Sequence, residues 1–174
     1  MDKILIDNFF NDPDKVRTFA LSREYNESTI RDGWKGFRML INEKNVMHFI
    51  KHRLTEIDFK FDNLHFNTFF HYSTENNRKE LGGPIGEHEY HRDVTEWAGV
   101  IYLTPNPVAS AGTSFLYDDG KTEDVENVYN RLIFYPGNIL HRPSDVFGKD
   151  INDGRLTLTI FGNIINTKKD KTLL

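Results

Sequence analysis

From Leu64 the chain changes rhythm: His65, Asn67, Phe69 and His71 alternate with Phe66, Thr68, Phe70 and Tyr72. Period two marks an extended strand, and aromatic residues in both sets mean that both faces must be covered. Arg155-Leu156-Thr157-Leu158-Thr159-Ile160-Phe161 repeats the rhythm, with Arg155, Thr157 and Thr159 on one face and apolar residues on the other. Trp97 to Leu103 is almost wholly apolar, as in a central strand between two layers. Shorter strands are expected over Thr113–Tyr117, Arg131–Tyr135 and Ile139–Arg142, the last two joined by a Pro136-Gly137-Asn138 turn. So many short strands behind two helices predict a mainly β fold with N-terminal helices. The architecture that fits is a double-stranded β-helix, or jelly roll, with the helices over its outer face.

The helices are readable at the N-terminus. Asn11-Asp12-Pro13 carries a capping residue and a first-turn proline, and predicts a helix to about Arg23, with Val16, Phe19, Ala20 and Leu21 facing the sheet. Tyr25–Lys35 reads as a loop anchored by Trp34 and Phe37. A second helix is expected over residues 42–57, burying Val46, Met47, Phe49, Ile50 and Leu54. His48 and His52 fall on its other side, with Phe49 where a metalloprotease helix would need glutamate, so that face reads as solvated. Residues 73–86 are polar and predict a loop, with Gly82–Gly86 a turn or flap. The acidic run Asp118–Glu126 predicts a solvated loop, and Lys168–Lys171 a frayed end. At 174 residues with 38% hydrophobic composition, a single domain is expected, helical over residues 1–60, with a jelly-roll core over residues 61–165 and a polar tail over residues 166–174.

The chemistry concentrates at His91-Arg92-Asp93. Side chains two apart on an extended segment share a face, so His91 and Asp93 can grip one ion while Arg92 points away. His141, on a returning strand, would complete two imidazoles and one carboxylate. That donor set is the facial triad of non-haem iron(II) oxygenases, which leaves the opposite face of the metal open. Arg155 leads a polar strand face and suggests a bound anion. The same fold and metal would also suit a zinc hydrolase or an isomerase, and a cupin-like binding module without catalysis is the alternative from a different class.

His-x-Asp, the distant histidine and Arg155-Leu156-Thr157, in this order across short β segments, resemble the iron(II)- and 2-oxoglutarate-dependent dioxygenase superfamily. Residues 65–163 and the opening Ile6-Asp7-Asn8-Phe9-Phe10 are most similar to its prolyl 4-hydroxylase-like branch. The resemblance implies that His91, Asp93 and His141 hold iron(II) as metal ligands and catalytic centre. It implies that Arg155 and Thr157 hold the distal carboxylate of 2-oxoglutarate, and that Thr113, in Gly112-Thr113-Ser114-Phe115, lines the same pocket. The implied reaction hydroxylates a peptide residue or small metabolite with dioxygen, releasing succinate and carbon dioxide. Arg155 stands where prolyl hydroxylases usually carry lysine.

Composition removes several classes. The chain has no cysteine, so disulfides and thiolate metal sites are excluded and His, Asp and Glu remain as ligands. The formal charge of −4, without a basic patch interleaved with aromatics, argues against nucleic acid as a partner. No signal peptide and no apolar run of roughly 20 residues is read, which predicts a cytoplasmic protein without a membrane span. Further pocket candidates are His65, Asn67 and His71 on the first strand, His88 as a fourth ligand or substrate contact, and Tyr90, Trp97 and Arg142 as substrate contacts.

Overall fold

The computed structural model describes residues 3–27, 36–81 and 86–165. The chain begins with β1 (Ile4–Ile6), α1 (Pro13–Leu21), β2 (Asn26–Glu27), β3 (Phe37–Ile41) and α2 (Lys44–Ile57). After a 3-10 turn come β4 (Leu64–Ser73), α3 (Glu75–Leu81), a second 3-10 turn (Glu87–Glu89) and β5 (Trp97–Tyr102). The remainder is β6 (Thr113–Leu116), β7 (Thr122–Val125), β8 (Leu132–Pro136), β9 (Leu140–Pro143) and β10 (Arg155–Ile164).

Seven strands form the major sheet in the order β1-β8-β5-β10-β4-β3-β2, and β7-β6-β9 form the minor one. Every pairing is antiparallel. The period-two pattern does what it predicted. On β10, Leu156, Leu158 and Ile160 join Phe70, Ala20, Ile50 and Leu54 in the core under the helices. On the other side of the major sheet, Val100, Tyr102, Ile133 and Tyr135 meet Phe115 and Val125 of the minor sheet in a second core. The jelly-roll expectation therefore holds, with the helices on the outer face.

Local chemistry explains the element ends. Asp12 accepts a hydrogen bond from the Lys15 amide at 3.1 Å and Pro13 opens α1, as the sequence indicated, but the helix stops at Leu21. α2 buries Ile50 and Leu54 and leaves His48 and His52 exposed.

Three expectations need correction. The loop expected over 73–86 contains α3, which a reciprocal cap begins: the Asn77 amide donates to Thr74 Oγ1 at 3.2 Å, and the Thr74 amide to Asn77 Oδ1 at 2.8 Å. This is a capping box with asparagine in the place of the usual glutamate, so polar composition concealed a helix. The acidic loop contains β7, an edge strand whose charges suit an exposed sheet margin and which buries only Val125. β2 and β3 extend the major sheet within the region read as helical, because the apolar run Phe37–Ile41 is pulled onto β4. Trp34, Gly82–Ile85 and the tail from residue 166 lie outside the described residues. Among the described residues no helix is long and apolar enough to cross a membrane.

Candidate active site

His91 and His141 are one rung of a ladder. The His91 amide donates to the His141 carbonyl at 3.1 Å and the His141 amide returns the bond at 3.0 Å, extending the minor sheet beyond β9 by an isolated bridge. Asp93 is held in turn by its amide, 2.8 Å from the Gly137 carbonyl. Gly137 is needed there for space: a Cβ would lie 2.1 Å from the Thr95 carbonyl oxygen and 3.2 Å from Asp93 Cβ. The turn that sends the chain back to His141 thus also seats the carboxylate.

Each imidazole donates from Nδ1 to the backbone carbonyl two residues earlier, His91 to Glu89 at 3.0 Å and His141 to Ile139 at 2.9 Å. A carbonyl only accepts, so Nδ1 carries the proton and the neutral ring presents a bare lone pair at Nε2. His91 Nε2 lies 4.0 Å from Asp93 Oδ1, and His141 Nε2 lies 3.3 Å from Asp93 Oδ2. Asp93 Oδ2 is buried without a hydrogen-bond donor. Three acceptors converging in this way repel one another unless a cation joins them. One ligand atom from each residue lies within 4.8 Å of the others, so the group can hold a metal ion. Burial and the neighbouring His141 push the His91 pKa down, which keeps its lone pair available. The carbonyl bonds at Nδ1 are the supports that orient metal-ligating histidines.

The triad opens into a cavity of about 230 Å³ between the two sheets, which Arg155, Thr157 and Thr113 also line. Arg155 is only 4% exposed. Its Nε and Nη2 donate to the Ala111 and Gly112 carbonyls, each at 3.0 Å, and its guanidinium lies 5.5 Å from the Tyr102 ring centre. Tyr102 hydroxyl and Thr113 Oγ1 are hydrogen-bonded at 2.8 Å, and Thr157 pairs across the sheet with Tyr102. Among the described residues no carboxylate pairs with Arg155. Burial therefore pushes its pKa below the ordinary value. A buried cation of this kind calls for an anion.

Of the other candidates, His71 lines this cavity, whereas His65 and Asn67 line a separate cleft of about 490 Å³ beside His48 and Lys51 of α2. His65 and Asn67 lie near the start of β4, where residues of α2 border the cleft, and His71 lies near its end. Trp97 stacks on Phe134 at 5.2 Å in the helix-side core, so it is no substrate contact. The guanidinium of Arg142 lies 4.8 Å from the Tyr90 ring centre. The backbone of His88 lies in the 3-10 turn Glu87–Glu89.

Sequence reasoning missed Tyr102 and Arg38. Arg38 lines the cavity from β3, donating from Nε to His71 Nε2 at 2.6 Å. A lone charge inside the apolar run Phe37–Ile41 was the available signal.

A family of unknown function, DUF6445, matches residues 120–162. No curated protein sequence matches the chain. Among solved structures, a Pseudomonas putida prolyl-4-hydroxylase superposes with a TM-score of 0.64 at 16% identity, over 95% of this chain and 94% of that one. A Trichoplax adhaerens prolyl hydroxylase in complex with a hypoxia inducible factor oxygen degradation domain peptide gives 0.66 at 12% identity, over 99% and 86%. HygX from Streptomyces hygroscopicus, with nickel and 2-oxoglutarate bound, gives 0.63 at 10% identity, over 95% and 84%. At such identities the shared property is the fold: the chain has the jelly roll of the iron(II)- and 2-oxoglutarate-dependent oxygenases, in the form found in the prolyl hydroxylases.

Proposed function

We propose that the protein is an iron(II)- and 2-oxoglutarate-dependent dioxygenase that hydroxylates a small metabolite or a peptide residue. The observation that carries this reading is the pairing, in one cavity, of a His-Asp-His acceptor cluster with a buried arginine that has no carboxylate partner among the described residues. His91, Asp93 and His141 would hold the metal, and Arg155, Thr157 and Thr113 the cosubstrate. When bound, iron(II) supplies the coupling of 2-oxoglutarate decarboxylation to dioxygen activation, with succinate and carbon dioxide as products.

The chain's own residues set the conditions for that chemistry. The carbonyls of Glu89 and Ile139 hold each Nδ1 proton, so Nε2 of both rings stays directed to the ion. Asp93 offers a carboxylate whose Oδ2 is buried and accepts no hydrogen bond. Arg155 presents a planar fork to the far carboxylate, and its bonds to Ala111 and Gly112 fix that fork before the ligand arrives. The Tyr102 and Thr113 hydroxyls share one hydrogen bond, which leaves a single hydroxyl proton between them to donate to the same group.

The test is anaerobic addition of iron(II) and 2-oxoglutarate, watching for the visible metal-to-ligand charge-transfer band, followed by succinate assay in air. A band and succinate release support the reading. Absence of 2-oxoglutarate binding would instead favour a catalytically silent binding module.

A further inference from the structure

Arg38 is a second guanidinium on the cavity wall, and Arg155 does not account for it. Thr157 of β10 pairs with His71 of β4, and His71 pairs with Arg38 of β3, so the three side chains share one rung and one face of the major sheet. Two strand spacings separate Arg38 from Thr157, about 10 Å between backbones, so Arg38 on β3 and Arg155 on β10 approach the cavity from strands on either side of His71.

Arg38 is held like a recognition element. Its guanidinium lies 4.7 Å from the Phe69 ring centre and 5.9 Å from that of Phe161, while Nε is engaged by His71. Burial depresses its pKa, and Asp93 is the charge that steadies it. His71 stays neutral because burial and both arginines oppose a third positive charge between them. Among the described residues, arginines 38, 92, 142 and 155 line the cavity with Asp93 as their one carboxylate there, and of the four the half-exposed Arg92 has its own partner outside, Asp118 at 3.2 Å. Arg38, Arg142 and Arg155 still outnumber Asp93, so a chain of net charge −4 carries a positive cavity wall. Such a cleft raises the local concentration of anions. Once the dication and the 2-oxoglutarate dianion have offset each other, the surplus is still positive.

Size and lining narrow the class. The cavity, at about 230 Å³, lies below the roughly 300–1,000 Å³ of drug-sized sites even before 2-oxoglutarate takes its share, which leaves room for a small substrate only. Gly99, Val100 and Phe161 add an apolar wall for a hydrocarbon body. A planar fork matches a carboxylate. Resting on the oxygenase reading above, we infer that Arg38 is a specificity residue that binds the carboxylate of a small aliphatic acid of amino-acid size, the primary substrate.

The experiment presents the iron(II)- and 2-oxoglutarate-loaded protein with the free α-amino acids, simple aliphatic carboxylic acids, their primary amides and phosphate monoesters of similar size. The readouts are change in the anaerobic charge-transfer band and acceleration of succinate release. At least one acid should act, and its amide should be weaker by about 30-fold or more, the usual consequence of leaving one member of a buried charge pair alone. Arg38→Met should lower kcat/KM for the acid by a similar factor and collapse the acid-to-amide ratio, and Arg38→Lys should recover part of it. Equal action of acid and amide on the wild type, an unchanged ratio in Arg38→Met, action by phosphate monoesters alone, or silence of every acid under a normal band overturns the inference. Absence of the band itself overturns the oxygenase reading, and this inference with it.

Discussion

Arg155→Met separates a ligand-binding arginine from a structural one. The substitution removes a buried cation whose depressed pKa records the cost of its desolvation, and it keeps most of the side-chain volume. It also deletes two hydrogen bonds to carbonyls. Both acceptors keep another partner, Ala111 from Asn127 Nδ2 at 3.1 Å and Gly112 from the Ser144 amide at 3.2 Å. The loss is then about 1 kcal/mol per bond, set against relief of the buried charge. The metal-loaded variant without cosubstrate should unfold within a few degrees of wild type. With 2-oxoglutarate at a hundred times Kd, the wild type gains about 2.7 kcal/mol, or about 5–11 °C in Tm for a domain of this size. Loss of the arginine weakens the anion by about 2–5 kcal/mol, enough to erase most of that shift at the same concentration. Anaerobic thermal unfolding of both proteins, loaded with iron(II), with and without 2-oxoglutarate, measures this. A wild-type-sized shift in Arg155→Met, or a variant that collapses before ligand is added, would refute the reasoning.

The metal ligands give a second prediction: His91→Ala or His141→Ala loses tight iron(II) binding by calorimetry, whereas the His48→Ala, His52→Ala double variant, altered on an exposed helix face, keeps it. Gly137→Ala should cost about 1–3 kcal/mol in urea unfolding and weaken metal binding, because the added methyl strikes the Thr95 carbonyl and crowds Asp93. His71 makes stability depend on acid. Its folded pKa lies well below 6.5, so it contributes no penalty above the unfolded pKa, and stability falls as pH drops below about 6.5. The slope from this one group is about 1.4 kcal/mol per pH unit until the folded pKa is reached. His71→Gln should flatten unfolding free energies measured from pH 7 to 5.5 by that amount, and an unaltered profile would count against it.

The regions of the fold that were legible in the sequence are those where one residue decides one contact. β10 follows the expected alternation from Arg155 and runs on to Ile164, because one face meets the helix-side core and the other lines the cavity. The His91, Asp93 and His141 cluster was legible for a similar reason: alternation fixes the near pair, and a turn signal brings back the third. What stayed hidden depends on partners distant in sequence. α3 is almost entirely polar, and Arg78 is buried in it only because Glu89 supplies a buried counter-charge. Asp118–Glu126 gave no strand pattern, since an edge strand such as β7 needs only one buried side chain. Arg38 has no local motif; register with β4 puts it beside His71.

The reciprocal backbone bonds between His91 and His141 also bear on the life of the molecule in a cell. In the unfolded chain an ion finds at most the local His91-x-Asp93 pair, and the second imidazole joins only when the last rung of the minor sheet closes. A ligand that favours the closed rung shifts the opening equilibrium by mass action, about 1.4 kcal/mol for each tenfold excess of free metal over Kd. Cleavage by proteases follows the open population where reclosing is fast. On the proposed reading, turnover should therefore slow as iron becomes plentiful, with the two histidine carbonyls and amides acting as the latch.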